Sequence, residues 1–282
     1  MDWGKAKNYT IIFLIILNLF LFLCNLWFNK RYVLTESQIE SIKSILSTRG
    51  IELDSEIPIE YKPMVQINLE NCIYDTDYLQ KIFFDGKSDI KRTSEFEKTI
   101  LTADDEKVTI FSDYVEFEKE KADFSSGFNE DEVLKFCQGY IDRIDDYYQG
   151  FQFRCVEKRE KSFVIEYYQL YRGYDIFNNF VVINAEQNGR INIKLKYFPI
   201  KNMYGNAVDI CSADEALFIF SDKAKDACNS DKINITKVEK GYYFDDFEKG
   251  DRVVSVPYYR IEVAQRDTPF FVNAYNRTLS EG

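Results

Sequence analysis

Residues 9–28 read YTIIFLIILNLFLFLCNLWF, twenty positions without a charged side chain. At about 1.5 Å per residue, a helix of that length crosses a bilayer's hydrocarbon core. The run governs the rest of the chain, because it either anchors that chain or is cut away. A secretory signal has a shorter apolar region and ends on small residues of the A-x-A kind. This one exits through Leu26-Trp27-Phe28-Asn29-Lys30-Arg31, which is bulky, aromatic and basic. Tyr9 and Trp27 stand where interfacial aromatics belong, and Lys5, Lys7, Lys30 and Arg31 flank the two ends. A buried helix of a soluble domain would need polar breaks or turn residues that the run lacks. The sequence predicts one uncleaved transmembrane anchor at 9–28, with residues 1–8 on one face of the membrane. Charge does not choose the face: basic residues flank both ends, and long translocated domains obey the positive-inside rule poorly.

About 250 residues lie beyond the anchor, enough for one large domain or two small ones. A net charge of −11 argues against a nucleic-acid binder, which carries a basic face. Aromatics make up 16% of the chain, too many for a disordered ectodomain. There is no histidine, which removes the commonest general base, the commonest metal ligand and the Ser-His and Cys-His arrangements. The cysteines, Cys24, Cys72, Cys137, Cys155, Cys211 and Cys228, form no C-x-x-C and read as isolated thiols.

Past the anchor, Thr35-Glu36-Ser37-Gln38 is a capping box opening a helix through Ile39, Ile42 and Leu46, with Arg49-Gly50 as its stop. Residues 57–61 and 64–69 read as strands, with Pro58 and Pro63 implying an edge or irregular pairing. Asp75 caps a short helix through Leu79, Ile82 and Phe83. Residues 96–101 and 108–117 read as a hairpin around Asp104-Asp105. Residues 33–124 are therefore expected to form a first α+β domain, with a boundary at Ser125-Ser126-Gly127.

The second domain, 128–282, reads as two helix-plus-sheet repeats, 128–200 and 211–277. In the first, Asn129 caps a helix carrying Val133, Phe136, Tyr140, Ile144 and Tyr147. Strands come next at 151–155, 163–171 and 180–185, then an Asn188-Gly189 turn and the alternating Ile191, Ile193, Leu195, Tyr197. In the second, Ser212-x-x-Glu215 reads as a capping box before Leu217, Phe220, Ala224 and Ala227, with strands at 233–238, 241–244, 252–263 and 270–275. The expected class is α+β, helices laid on antiparallel sheet.

No catalytic constellation is visible. The acidic clusters Asp75/Asp77, Asp104-Asp105-Glu106, Asp145-Asp146 and Asp245-Asp246 sit at expected turns and helix ends, lack calcium-loop spacing and read as solvated surface. No phosphate-binding loop or nucleophile elbow occurs, so no catalytic residue, cofactor or metal is expected. The sharpest local signal lies inside the anchor. Ile11, Leu14, Asn18, Leu21, Asn25 and Phe28 have a 3-4-3-4-3 spacing, one seam of a helix. A carboxamide in lipid is costly without a partner. Leu14, Asn18, Leu21 and Asn25 are therefore the expected contact surface for another transmembrane helix; the plainer reading has Asn25 reaching the interface.

The opening Met1-Asp2-Trp3-Gly4-Lys5-Ala6-Lys7, running into Ile16-Leu17-Asn18-Leu19-Phe20, resembles the YycI (WalI) proteins of Gram-positive bacteria. So do Val256-Pro257-Tyr258-Tyr259-Arg260-Ile261 and Phe271-Val272-Asn273-Ala274-Tyr275 near the C-terminus. The resemblance implies a single-pass membrane protein with a cytoplasmic N-terminus and an extracytoplasmic domain of tandem PepSY-like units. It implies partners too: a YycH-like protein and the WalK (YycG) sensor histidine kinase, whose pathway governs cell-wall metabolism. Control would run largely through transmembrane helices. The alternative from a different class is an anchored ligand-binding or protease-inhibiting module, whose working surface would be the outer domain.

Overall fold

The computed structural model describes residues 3–124, 127–228, 230, 232–245 and 253–281. Of residues 4–6, 26, 28 and 29 it describes the backbone. In chain order the elements are α1 (Trp3–Arg31), α2 (Glu36–Thr48), β1 (Ile51–Leu53), β2 (Met64–Leu69), α3 (Thr76–Phe83) and β3 (Lys91–Glu95). Next come β4 (Lys98–Ala103), β5 (Glu106–Ile110), β6 (Val115–Lys119), α4 (Glu130–Asp145), β7 (Phe151–Lys158) and β8 (Ser162–Tyr171). The chain ends with β9 (Tyr174–Glu186), β10 (Ile191–Lys196), β11 (Ile200–Val208), α5 (Ala213–Cys228), β12 (Ile233–Tyr243), β13 (Val253–Val263), β14 (Phe270–Asn273) and β15 (Leu279–Glu281). The class is α+β, as expected. The described residues divide into two compact units, each discontinuous in sequence: Met1–Met64, Ala207–Glu239 and Tyr259–Gly282 form one; Val65–Asn206 and Lys240–Tyr258 form the other. Ser125 and Ser126 of the expected boundary lie outside the described residues.

In the unit holding α1, α2 starts where its capping box predicts. Thr35 Oγ1 accepts from Gln38 N at 3.3 Å, and Gln38 Oε1 accepts from Thr35 N at 3.0 Å. β1 runs parallel to the start of β12, Ile51 opposite Ile233 and Leu53 opposite Ile235. β14 pairs antiparallel with β15. The face that α5 buries carries Ala213, Ala216, Leu217, Phe220 and Ala224, with the Phe220 ring edge-on to Phe270 at 5.1 Å. The Ser212-Glu215 capping box does not form. The Ser212 hydroxyl donates to the Asp214 carboxylate, and Glu215 turns to Arg277 at 3.1 Å. An opposite charge brought close by the chain's C-terminal turn outcompetes the local backbone donor.

In the other unit β3 to β6 form an antiparallel meander. β6 then pairs with β10, β10 with β9, β9 with β8 and β8 with β7. The single hairpin expected over 96–117 is thus three strands, β4 to β6, with β3 paired ahead of them. Phe96 sits in the β3–β4 turn, 92% exposed, and residues 111–114 break the long apolar run into β5 and β6. On β10, Ile191, Ile193 and Leu195 are buried and their neighbours are not, the alternation the sequence shows. The turn before it needs Gly189: its φ is +89°, and a Cβ there would stand 2.9 Å from the Ala122 carbonyl oxygen. Segments 233–238 and 241–244, expected as separate strands, are one strand, β12. It passes beside β9 at Gly241, where a Cβ would meet the Asp175 carbonyl oxygen at 2.5 Å. α4 is capped by Asn129, whose Oδ1 accepts from Glu132 N at 3.1 Å. It buries Val133, Cys137, Tyr140, Ile141 and Ile144 in a core shared with α3 and the sheet. Val133, Ile141 and Ile144 each contribute roughly 1.5–3 kcal/mol by leaving water.

The strand expected at 57–61 is instead an extended segment with one isolated bridge, Glu60 to Val33. Pro58 and Pro63 lock φ at about −65° and supply no N–H, so a ladder cannot continue there.

Candidate functional site

Three features of the α1-bearing unit have the geometry of a working surface. The first is α1 itself. Lys7–Asn25 is long and apolar enough to cross a membrane, and none of that window is buried by the rest of the chain. Leu14 is 48% exposed and Leu21 55%, and Asn18 and Asn25 are exposed with them. The spacing puts all four along one side of the helix. Asn18 Nδ2 donates to the Leu14 carbonyl oxygen at 2.9 Å, so part of its polarity is satisfied within its own helix. Phe28, the last member of the seam, has no described side chain, and neither does Lys5 among the flanking cations.

The second feature is the exit of α1. Only four residues, 32–35, separate α1 from α2. Tyr61 N donates to the Tyr32 carbonyl oxygen at 3.0 Å, and Leu34 N donates to Ile59 O at 2.9 Å. The Tyr61 hydroxyl donates to the Arg31 carbonyl oxygen at 2.9 Å, satisfying one of the acceptors that a helix leaves open at its C-terminus. The Tyr32 and Tyr61 rings meet edge-on at 5.9 Å, and the Tyr32 hydroxyl donates to Asp209 at 3.1 Å.

The third is a groove of about 440 Å³ between α2 and α5. Its floor carries Ile42 and Ile45 from α2 and Phe218 and Ile219 from α5, and the Glu215–Arg277 pair forms part of its wall. Ile45 is 38% and Phe218 42% exposed. The Arg49 guanidinium lies 4.8 Å from the Phe218 ring centre, donates to Ser221 Oγ at 2.7 Å and pairs with Asp222. A concave apolar surface with a few convergent polar groups is the usual form of a ligand site, commonly roughly 300–1,000 Å³. Neither these groove residues nor Tyr32 and Tyr61 stand out in the sequence. The available signal was an apolar residue beside the buried stripe of each helix: Ile45 next to Leu46, and Phe218 next to Leu217.

The acidic clusters are mostly solvated surface at turns and helix ends, as expected: Asp75, Asp77, Asp104, Asp146 and Asp245 are exposed, and Glu106 is the buried exception. Asp75 caps α3, accepting from Asp77 N at 2.8 Å. Asp145 accepts from Gly150 N at 2.7 Å and Phe151 N at 3.1 Å. The Glu106 carboxylate is 4% exposed and lies 2.9 Å from the Lys87 ammonium and 2.7 Å from that of Lys119. Asp245 accepts from the Tyr258 hydroxyl, and Asp246 lies outside the described residues. No group of three or more carboxylates and thiols among the described residues is arranged to hold a metal ion. The cysteines are unbridged, with Cys137 and Cys211 buried. Burial pushes the Cys72, Cys137 and Cys211 thiols up to about 12, away from the reactive thiolate.

The sequence model of the YycI protein family matches residues 29–275. The chain belongs to the YycI family. The match begins at the end of α1 and takes in the α1 exit, the α2–α5 groove and nearly all of the sheet. No curated protein matches the chain in sequence. Among solved structures, YycH from Bacillus subtilis shares the fold with a TM-score of 0.51 at 12% identity, over 79% of this chain and 57% of that one. An uncharacterized protein from Eubacterium rectale has a TM-score of 0.50 at 14% identity, over 82% of this chain and 90% of that one. At such identities the likeness is one of fold.

Proposed function

We propose that this YycI-family chain is a membrane-anchored regulator of a cell-wall-controlling sensor histidine kinase of the WalK (YycG) type, acting in complex with a YycH-like partner. The observation that carries the reading is the family match over 29–275, and the fold shared with YycH supports it. In this reading residues 1–8 are cytoplasmic, α1 is the single span and the rest of the chain is extracytoplasmic. The two helix-plus-strand stretches, α4 with β7–β10 and α5 with β12–β14, are copies of one PepSY-like unit. Regulation runs through helix contacts along Leu14, Asn18, Leu21 and Asn25. With one Asn18 N–H held by Leu14, its carbonyl oxygen and second N–H remain to pair across helices, a bond worth roughly 0.6–2 kcal/mol in a membrane.

The test is replacement of Asn18 and Asn25 by Leu in the full chain. The expected result is weaker co-purification with the kinase and altered expression of the genes it controls, with the outer domain still folded. Unchanged co-purification together with unchanged output overturns the reading.

The α2–α5 groove favours a second reading, an anchored ligand-binding module. There, exchanging α1 for an unrelated span preserves activity. Under the leading proposal the same exchange abolishes it.

A further inference from the structure

We infer that the exit of α1 is a built clasp: residues 57–61 lock the end of the membrane helix to its own outer unit, so that α1 and α2 move as one body. The clasp holds whichever partner the protein regulates.

Four residues of free chain would span up to roughly 14 Å and let a membrane helix turn independently of its domain. Here the four are held along their length. Tyr32 O and Leu34 N are both taken by the 57–61 segment, Val33 bridges Glu60 between them, and Thr35 is already the cap of α2. The Tyr61 hydroxyl reaches back across the junction to the last helical carbonyl, that of Arg31. The restraint therefore includes the helix end itself as well as the linker. Tyr32, 8% exposed, carries the connection further, through its hydroxyl to Asp209, four residues before α5.

The segment that does the holding is suited to it. Pro58 fixes one φ angle and Pro63 keeps Lys62 extended, so 57–61 is a stiff strap with little entropy to lose. Ile57 is buried at 9% exposure and roots the strap in the unit. Rotation or tilt of α1 in the bilayer is thereby delivered to α2, one wall of the groove, without slack. A ligand or partner that moves α2 likewise turns the face of α1 bearing Asn18.

The experiment uses the full chain in lipid nanodiscs, with Cys24, Cys72, Cys155 and Cys228 replaced by serine and spin labels at Lys30→Cys and Lys43→Cys. Both lysines are exposed, one at the end of α1 and one on α2. Pulsed electron spin resonance is expected to give one narrow inter-label distance. Two variants should broaden it: Tyr61→Ala, and a Gly-Ser-Gly insertion between Arg31 and Tyr32, which leaves every residue of the outer unit in place. In parallel, amide exchange at Leu34 and Tyr61 should be slowed about fivefold or more in the unmodified chain, roughly the protection that one net hydrogen bond confers. A broad distance distribution in the unmodified chain overturns the inference. So does a narrow one that survives the insertion, since something other than the clasp would then hold the helix. Neither readout involves a kinase, so failure here leaves the proposed function standing, and the reverse also holds.

Discussion

The two compact units use an amphipathic helix in different ways. In the unit of α3 and α4, the apolar faces of both helices close over the sheet. Phe83, Phe117 and Tyr140 pack within 4.7 to 6.3 Å of one another, and all three are buried. In the unit of α2 and α5, each helix buries a face and then leaves one apolar residue out, Ile45 and Phe218, to line a groove. Composition alone does not distinguish them, since both are rich in isoleucine and phenylalanine. Both helix pairs touch one another; what differs is that Tyr78, the exposed ring of α3, is stacked on Tyr147 of α4 at 4.6 Å, whereas Ile45 and Phe218 stand on either side of an open groove.

Three measurements bear on that contrast, beginning with the largest effect. Phe117→Ala removes a fully buried ring stacked on Phe83 and should cost about 3–5 kcal/mol in denaturant unfolding of the full chain in detergent. A loss below about 1 kcal/mol would mean the core is looser than the stacking implies.

Next is alkaline unfolding. Burial pushes Tyr167 up to about 12, and raises Tyr74, Tyr140 and Tyr148 further, all in the α4 unit together with Cys72 and Cys137. The α5 unit has Tyr275 and Cys211 at about 12. These groups are neutral when folded, and their folded pKa values exceed the ordinary 9.0 of a thiol and 10.0 of a phenol. The stability they contribute is therefore complete below those ordinary values. It is lost as pH climbs through them toward 12 and beyond. Limited proteolysis at rising pH should first cut the α4 unit. First cuts in the α5 unit would reverse the comparison.

The smallest effect is expected at the groove. Phe218→Ser should cost about 1 kcal/mol, well below Phe117→Ala, because the ring is already 42% exposed and loses mainly its contact with Arg49. A loss comparable to that at Phe117 would show that the groove is closed in solution.

The chain's local chemistry was enough to determine much of this protein. An uncharged run of twenty residues made α1 a membrane helix candidate before any folding was considered, and none of Lys7–Asn25 is buried in the structure. Thr35 and Gln38, Asp75, Asn129 and the Asn188-Gly189 turn fixed ends of elements because each satisfies backbone groups within a few residues of itself. The alternation on β10 fixed which face is core. The family resemblance was legible for the same reason, in short runs at the two ends of the chain.

Long-range proximity decided the rest. Whether Glu215 would cap α5 or pair with Arg277, 62 residues away, depended on where the C-terminal turn came to lie. Glu106 became a buried ion-pair centre only because Lys87 and Lys119 arrived beside it. The groove exists because α2 and α5, more than 150 residues apart in sequence, pack together. The hold on α1 needs Tyr61 to fold back onto Arg31. Hydrogen bonds and apolar contacts between distant segments leave no periodic trace in either segment. The sequence could therefore specify a helix long and apolar enough to cross a membrane, while only the tertiary structure could show the hydrogen bonds that tie its end to residues 59–61.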